Sequence, residues 1–312
     1  MEPQETIEAL FRDVFGSQAR LAGVTIAKQD LDYQVLTIQL DHPHLEVMVK
    51  LAGPRAALSC PFERTAALLQ RVAATTTVPV VSVIAADTSY RDWPWRYCIY
   101  ERAPGLPWGE LREQLTPAEQ TDARRQLGHA VAQLHSVRFE AFGELTDEAQ
   151  VQPAAQRMGV LAALKARAAL RITAAPLRDT FLAALERYVD WFSDVTEARL
   201  THEDLHGWNV LFAQRGDRWQ LTGIVDFDKA WAGHAESDLA RLEFWDGMAD
   251  AAFWESYTAL QPVEPQFAQR RLIYQLFWCL EVAWATPRHL ADTRRVFAEL
   301  GLPPGEWERT FG

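Results

Sequence analysis

Thr201-His202-Glu203-Asp204-Leu205-His206-Gly207-Trp208-Asn209-Val210-Leu211-Phe212, with Gly223-Ile224-Val225-Asp226-Phe227-Asp228 close behind, decides how this chain is read. It sets a carboxylate, an amide and a second carboxylate beside short apolar runs. Val210 to Phe212 and Leu221 to Phe227 flank Gln214-Arg215-Gly216-Asp217, a turn-forming tetrapeptide, so the pair reads as a β-hairpin. The polar residues then sit on a loop that feeds a rigid scaffold.

Phosphoryl transfer leaves the protein little covalent work. It needs a carboxylate to orient the attacking hydroxyl and accept its proton, and oxygen ligands for a Mg²⁺ that bridges nucleotide phosphates. Asp204 suits the first role, and Asn209 and Asp226 suit the second. The order and spacing of His202, Asp204, Asn209 and Asp226 resemble the His-x-Asp-x-x-x-x-Asn loop and following Asp of a known family. That family is the aminoglycoside phosphotransferase and choline-kinase-like group of small-molecule kinases, distant relatives of protein kinases. Gly233-His234-Ala235-Glu236-Ser237-Asp238-Leu239-Ala240 is similar to its Gly-Asp-Pro-x-x-Asp-Leu-Ala segment, with His234 and Ala235 departing from Asp-Pro. The resemblance implies that His202 and Asp238 brace the loop.

The likeness extends upstream. Glu46-Val47-Met48-Val49-Lys50-Leu51 is a strand pattern carrying a lysine near its end, and Glu63 opens a helical run through Leu69. A lysine there is ordinarily solvated. The resemblance implies instead that Lys50 contacts phosphates and is fixed by Glu63. Tyr97 to Gly105 is similar to the family's inter-lobe hinge, which implies main-chain contacts from Glu101 and Ala103 to the adenine; the residues alone read as an edge strand entering a Pro-Gly turn. Leu127, Val131 and Leu134 share one face of a helix that His135 closes, and His135 reads as a structural histidine. Asp228, two residues after Asp226, is a secondary candidate for the metal.

Kinases usually cover the phosphates with a glycine-rich turn, because only glycine lets backbone amides approach so closely. Here Val24 to Leu40 contains no glycine, and Gln29-Asp30-Leu31-Asp32-Tyr33 has to make the turn. Its carboxylates must point away from any phosphate.

The 312 residues, 48% hydrophobic, are enough for two cores. Ala154 to Leu185 reads as two helices broken near Ala175-Pro176, Phe277, Leu280 and Trp284 as one face of a later helix following Phe244, Trp245, Trp254 and Tyr257, and Pro303-Pro304-Gly305 as a turn. Met1 to Gly16 has helical apolar spacing without the basic start of a secretory signal, and no stretch has the ~20 apolar residues that span a bilayer. Cys60, Cys98 and Cys279 have no metal spacing, which fits a reducing cytoplasm. A net charge of -11, from 42 acidic and 31 basic residues, argues against a nucleic-acid partner and is compatible with a cationic acceptor.

Three functions compete. The first is an ATP- and Mg²⁺-dependent phosphotransferase acting on a hydroxyl of an aminoglycoside-like molecule, an amino alcohol or a sugar. The second is a silent nucleotide-binding module, suggested by the glycine-free turn. The third is a metal hydrolase built on His202, Asp204 and His206, which leaves Asn209, Asp226 and Lys50 without a task. The resemblance implies an α+β, bilobal, protein-kinase-like fold. Residues 1–102 would form a small antiparallel-sheet lobe that binds nucleotide, and residues 103–312 a larger, mainly helical lobe for catalysis and substrate.

Overall fold

The computed structural model describes residues 4–30, 32–56, 60–155, 158–244, 248–282, 285–303 and 307. Leu31 of the glycine-free turn, Trp245, Trp284, Pro304 and Gly305 lie outside them, as do the first three residues.

Helix α1 (Gln4–Phe15) precedes strands β1 (Arg20–Asp30), β2 (Tyr33–His42) and β3 (Leu45–Ala52); helix α2 (Phe62–Thr75) separates these from β4 (Val83–Asp87) and β5 (Arg96–Glu101). The strands form an antiparallel sheet in the order β1-β2-β3-β5-β4. Side chains alternate faces along a strand, so β3 sends Val47, Val49 and Leu51 one way and Lys50 the other. The first face packs with Leu36, Ile38, Tyr97 and Ile99 beneath Ile7, Leu10 and Phe11 of α1. The second carries Lys50, paired in register with Cys98, toward the rest of the molecule.

After Glu101 the chain crosses to β6 (Leu106–Pro107), α3 (Trp108–Leu111), α4 (Pro117–Leu134) and β7 (Arg138–Phe139). Gly105 has φ +107°, and a Cβ there would lie 2.2 Å from the Phe212 carbonyl oxygen, so the crossing requires glycine. A Thr116–Glu119 capping box starts α4, and Leu127, Val131 and Leu134 are buried along its inner face, as the spacing predicts.

Helices α5 (Val160–Arg171) and α6 (Ala175–Arg187) follow, with Pro176 in the first turn of α6, where a missing N–H costs nothing. Strand β8 (Ala198–Thr201) leads into the loop at 202–209, and β9 (Val210–Arg215) and β10 (Arg218–Ile224) make the expected hairpin about Gly216-Asp217. Strand β11 (Trp231–Gly233) returns to pair with β8. Helices α7 (Glu236–Leu242), α8 (Ala251–Thr258), α9 (Phe267–Glu281) and α10 (Pro287–Glu299) complete the helical part. Arg270 of α9 is fully buried, and both of its nitrogens facing Glu236 stand 2.7 Å from that carboxylate.

Helices α4 and α8 meet at Gly128, where a Cβ would stand 2.3 Å from the Phe253 carbonyl oxygen. In an exposed helix Gly→Ala gains roughly 1 kcal/mol. Here Gly128→Ala is expected to destabilise by about 1–3 kcal/mol through overpacking. Urea unfolding reads the sign, and a stabilised variant would refute the close approach.

Candidate active site

The loop at 202–209 has no regular structure, so its shape depends on bonds from outside. Asp238, fully buried on α7, accepts the His202 and Glu203 amide N–H groups, each at 2.7 Å. His135 Nε2 stands 3.2 Å from the same carboxylate, and its Nδ1 is 2.8 Å from the Tyr257 hydroxyl. Burial pushes the Asp238 carboxyl up, but these donors hold it below its ordinary value. Glu203 is forced to φ +64°, and its carboxylate accepts from Trp231 Nε1 at 3.0 Å and from the Ser237 hydroxyl. Such a conformation persists only where surrounding bonds over-determine it.

His202 is spent on the backbone. Its Nε2 donates to the Val225 carbonyl at 2.9 Å, so its Nδ1 is the acceptor for the Asp204 N–H at 3.2 Å. Neither ring nitrogen is left for a cation, and the described residues contain no cluster of three metal-binding side chains. This removes the hydrolase alternative built on His202, Asp204 and His206.

Asp204 presents its carboxylate to two cations. Oδ1 accepts from Lys229 Nζ at 3.0 Å and from Arg241 at 3.1 Å, while Oδ2 has no partner among the described residues. Burial pushes this carboxyl up, yet Lys229 and Arg241 hold it below the usual range, so it stays ionised at neutral pH. Asn209 Nδ2 donates to the Asp204 carbonyl at 2.9 Å and lies 3.2 Å from His206 Nε2. That fixes the amide with Oδ1 unengaged among the described residues. The Asn209 carbonyl accepts the Val225 N–H at 3.0 Å, which ties the loop to the exit of β10.

Asp226 leaves β10 in the left-handed region, φ 69° and ψ 60°. Lys50 Nζ lies 2.9 Å from Asp226 Oδ1 and 2.7 Å from Asp228 Oδ2. Burial pushes the Asp226 carboxyl up, but Lys50 brings it down to about 2. The Lys50 ammonium is lowered by burial and raised more strongly by Asp228, Tyr100 and Asp226, which leaves it well above its ordinary value.

The expected Lys50–Glu63 pair is absent, and this corrects the sequence reading. The Glu63 carboxylate accepts from Thr88, at 2.7 Å from the hydroxyl and 3.3 Å from the amide. Thr65 is the α2 residue turned toward Lys50, and its hydroxyl donates to Asp228 Oδ1 at 3.0 Å. Asp228 is thereby committed to Lys50 and Thr65, and Arg64 also binds its carbonyl at 2.7 Å.

Glu101 and Ala103 follow β5, the strand paired with β3. The Glu101 N–H donates to the Ser82 carbonyl at 3.0 Å, whereas the Ala103 N–H has no partner among the described residues. Asp32 of the glycine-free turn points away, accepting the Arg55 N–H at 2.8 Å while its carbonyl takes the Gly53 N–H at 2.8 Å. The structure thus brings Asp204, Asn209, Asp226 and Lys50 together and keeps Glu63 apart. Sequence reasoning missed Thr65, Glu203, Lys229, Arg241 and Glu281. Only Arg241 carried a local signal, as a basic residue one helical turn after Asp238.

A sheet lobe and a helical lobe meeting at this loop and hinge define a protein-kinase-like architecture of the small-molecule phosphotransferase kind. The chain belongs to the phosphotransferase enzyme family, whose model matches residues 27–271. Its fold is shared by a thermostable mutant of aminoglycoside phosphotransferase APH(4)-Ia in ternary complex with ADP and hygromycin B (16% identity, 95% of this chain and 97% of that one, TM-score 0.63). It is shared too by the gentamicin complex of APH(2″)-IIa (13% identity, 97% of each chain, TM-score 0.59). Plasmodium vivax ethanolamine kinase has it as well (12% identity, 96% of this chain and 85% of that one, TM-score 0.55). No curated protein matches the sequence.

Behind Asp204, Glu281 is buried between Arg241, Lys229 and Arg171. Burial pushes its carboxyl up, and these cations bring it down to about 2. A depressed carboxyl stabilises the fold above its unfolded value, near 4.3, and loses that contribution as pH falls through the folded value. About 3 kcal/mol is at stake, roughly half of it gone by pH 3. Urea unfolding from pH 6 to pH 2.5 is expected to show a shallower acid loss in Glu281→Gln than in the parent protein, and parallel curves would refute the assignment.

Proposed function

We propose that this enzyme transfers the terminal phosphoryl group of Mg·ATP to a hydroxyl of a small molecule. The observation that carries this reading is the Asp204 carboxylate: ionised, oriented through Oδ1 by Lys229 and Arg241, and open at Oδ2. A group so held can orient an acceptor hydroxyl and take its proton as the oxygen bonds to phosphorus and ADP leaves. Asn209 Oδ1 and Asp226 Oδ2, hard oxygens with no partner among the described residues, fit Mg²⁺. Bound there, the cation would neutralise charge on the phosphates.

Lys50 has one N–H left after Asp226 and Asp228, and in this reading it serves a phosphate oxygen. The Ala103 N–H and the Glu101 carbonyl would receive the adenine edge. We place the lobe boundary near Arg102, with nucleotide bound between residues 1–102 and 103–312. Closure of that cleft would keep water from competing with the acceptor. The acceptors and nucleotides in the names of structural relatives support a hydroxylated small molecule and a nucleotide cofactor. Three free, buried thiols are compatible with a cytoplasmic enzyme, and no helix among the described residues is long and apolar enough to cross a membrane.

Asp204→Asn is expected to retain Mg·ATP binding, measured by thermal shift, and to lose roughly 10²–10⁴ in turnover. Unchanged turnover would remove Asp204 from the mechanism. Asp226→Ala should lose the Mg²⁺-dependent part of ATP binding, and an intact response to Mg²⁺ would contradict its role. Mg·ATP binding by the parent protein without ATP consumption on any acceptor would favour a silent binding module.

The Lys50 contacts make a separate forecast. Asp228→Asn should raise KM for ATP by roughly tenfold or more, the scale of a lost charge-assisted bond, while Glu63→Gln changes it less. The reverse ranking would return Glu63 to the lysine.

A further inference from the structure

We infer that Tyr33 takes the place of the missing glycine-rich turn: its hydroxyl donates a hydrogen bond to a phosphate oxygen of the nucleotide, beside Lys50. This rests on the kinase reading above and adds a binding residue to that site.

Strand register fixes the side on which Tyr33 lies. Val35 of β2 stands opposite Lys50 of β3, and residues directly opposite one another project from the same face of a sheet. Tyr33, two residues before Val35, shares that face and is the diagonal neighbour of Lys50, roughly 7–8 Å away. The other face of β2 carries Leu36, Ile38 and Leu40, which pack beneath α1. Packing agrees with register. Tyr33 is buried in one cluster with Ala52, Cys60, Phe62 and Tyr100, apart from the residues under α1.

The chemistry at the end of this ring is unfinished. Tyr33 is 6% exposed, yet its hydroxyl has no partner among the described residues. A phenol withdrawn from water without a partner is costly, so it calls for an acceptor. The charges that act on it are those of the site itself: burial pushes the phenol up, Lys50 opposes this, and Asp228 and Asp226 add to it. At neutral pH it therefore keeps its proton and is a donor.

A glycine-rich turn works through amides, because a Cβ would hold the backbone away from the phosphates. A tyrosine needs no such approach, since its hydroxyl extends a ring's length past its own Cβ. The acids of the turn do not oppose this arrangement. Asp32 is bound to the Arg55 N–H, and Asp30, opposite Tyr33 in the hairpin, is exposed, where water screens it. Lys28, opposite Val35 from the β1 side, carries its ammonium to 6.0 Å from the Tyr33 ring centroid and steadies the ring.

The test compares the full chain with Tyr33→Phe, which keeps the ring and removes only the hydroxyl. Without nucleotide, the urea midpoint of the variant should not fall below that of the parent, because no internal bond is lost. By calorimetry, its Kd for Mg·ATP should rise roughly tenfold or more, the scale of a hydrogen bond to a charged group, while displacement of Mg·ATP by adenosine, which has no phosphate, stays within about twofold of the parent. A destabilised variant, an unchanged Kd for Mg·ATP, or an equal loss for adenosine overturns the inference. The kinase reading stands in each of those cases wherever the parent binds Mg·ATP and phosphorylates an acceptor. A parent protein that does not bind Mg·ATP ends both.

Discussion

A single largely buried ammonium ties the sheet to the segment that follows β10. Lys50 projects from the face of β3 opposite α1 and meets two carboxylates, Asp226 and Asp228, that lie two residues apart just past β10. Two acids this close would repel unless a cation stood between them, and the backbone supports the convergence by turning left-handed at Asp226. Taking these charges from water is costly, and the pair persists because Thr65 and Arg64 supply further hydrogen bonds to Asp228. Removing Lys50 would strand both acids, so the exit of β10 and the inner face of β3 stand or fall together.

The neighbouring loop is held by the opposite arrangement. Asp238 is an anion surrounded by donors: two backbone amides and His135. Because those amides belong to His202 and Glu203, Asp238 fixes the backbone just before Asp204, and Glu203 is kept in a conformation few glutamates adopt. His202 then reaches across to the Val225 carbonyl, one residue before Asp226. The Asp204 and Asp226 carboxylates are thus located relative to each other by backbone bonds, independently of either side chain. Such fixation is what phosphoryl transfer asks of a protein that supplies position and field more than covalent chemistry.

This division explains what the sequence revealed. The loop at 202–209 and the hairpin after it were legible because their geometry is local and their spacing is fixed by chain connectivity, whereas the brace at Asp238, distant in sequence from His202, was legible only through the family resemblance. The partner of Lys50 was not. Glu63 and Thr65 are two residues apart on α2, which turns them roughly 200° from one another, and only the packing of Phe62, Leu68, Leu69 and Val72 determines which faces the lysine. Lys229, Arg241 and Glu281 were hidden for a related reason, since they converge from three separate elements. The glycine-free turn looked repulsive because its sequence could not show that Asp32 folds back onto Gly53 and Arg55.

The net charge describes the chain and not the site. An excess of eleven acids over the whole chain suggests affinity for cations, but exposed charges are screened beyond about 8–10 Å in ordinary salt. What a small acceptor feels is the group of side chains within that distance. At Asp204 those side chains are cations satisfying buried acids, an arrangement imposed by the cost of leaving Glu281 unpaired. The requirement that buried charges be paired therefore decides which groups surround Asp204. Global composition constrains solubility, and the pairing of individual buried charges governs recognition.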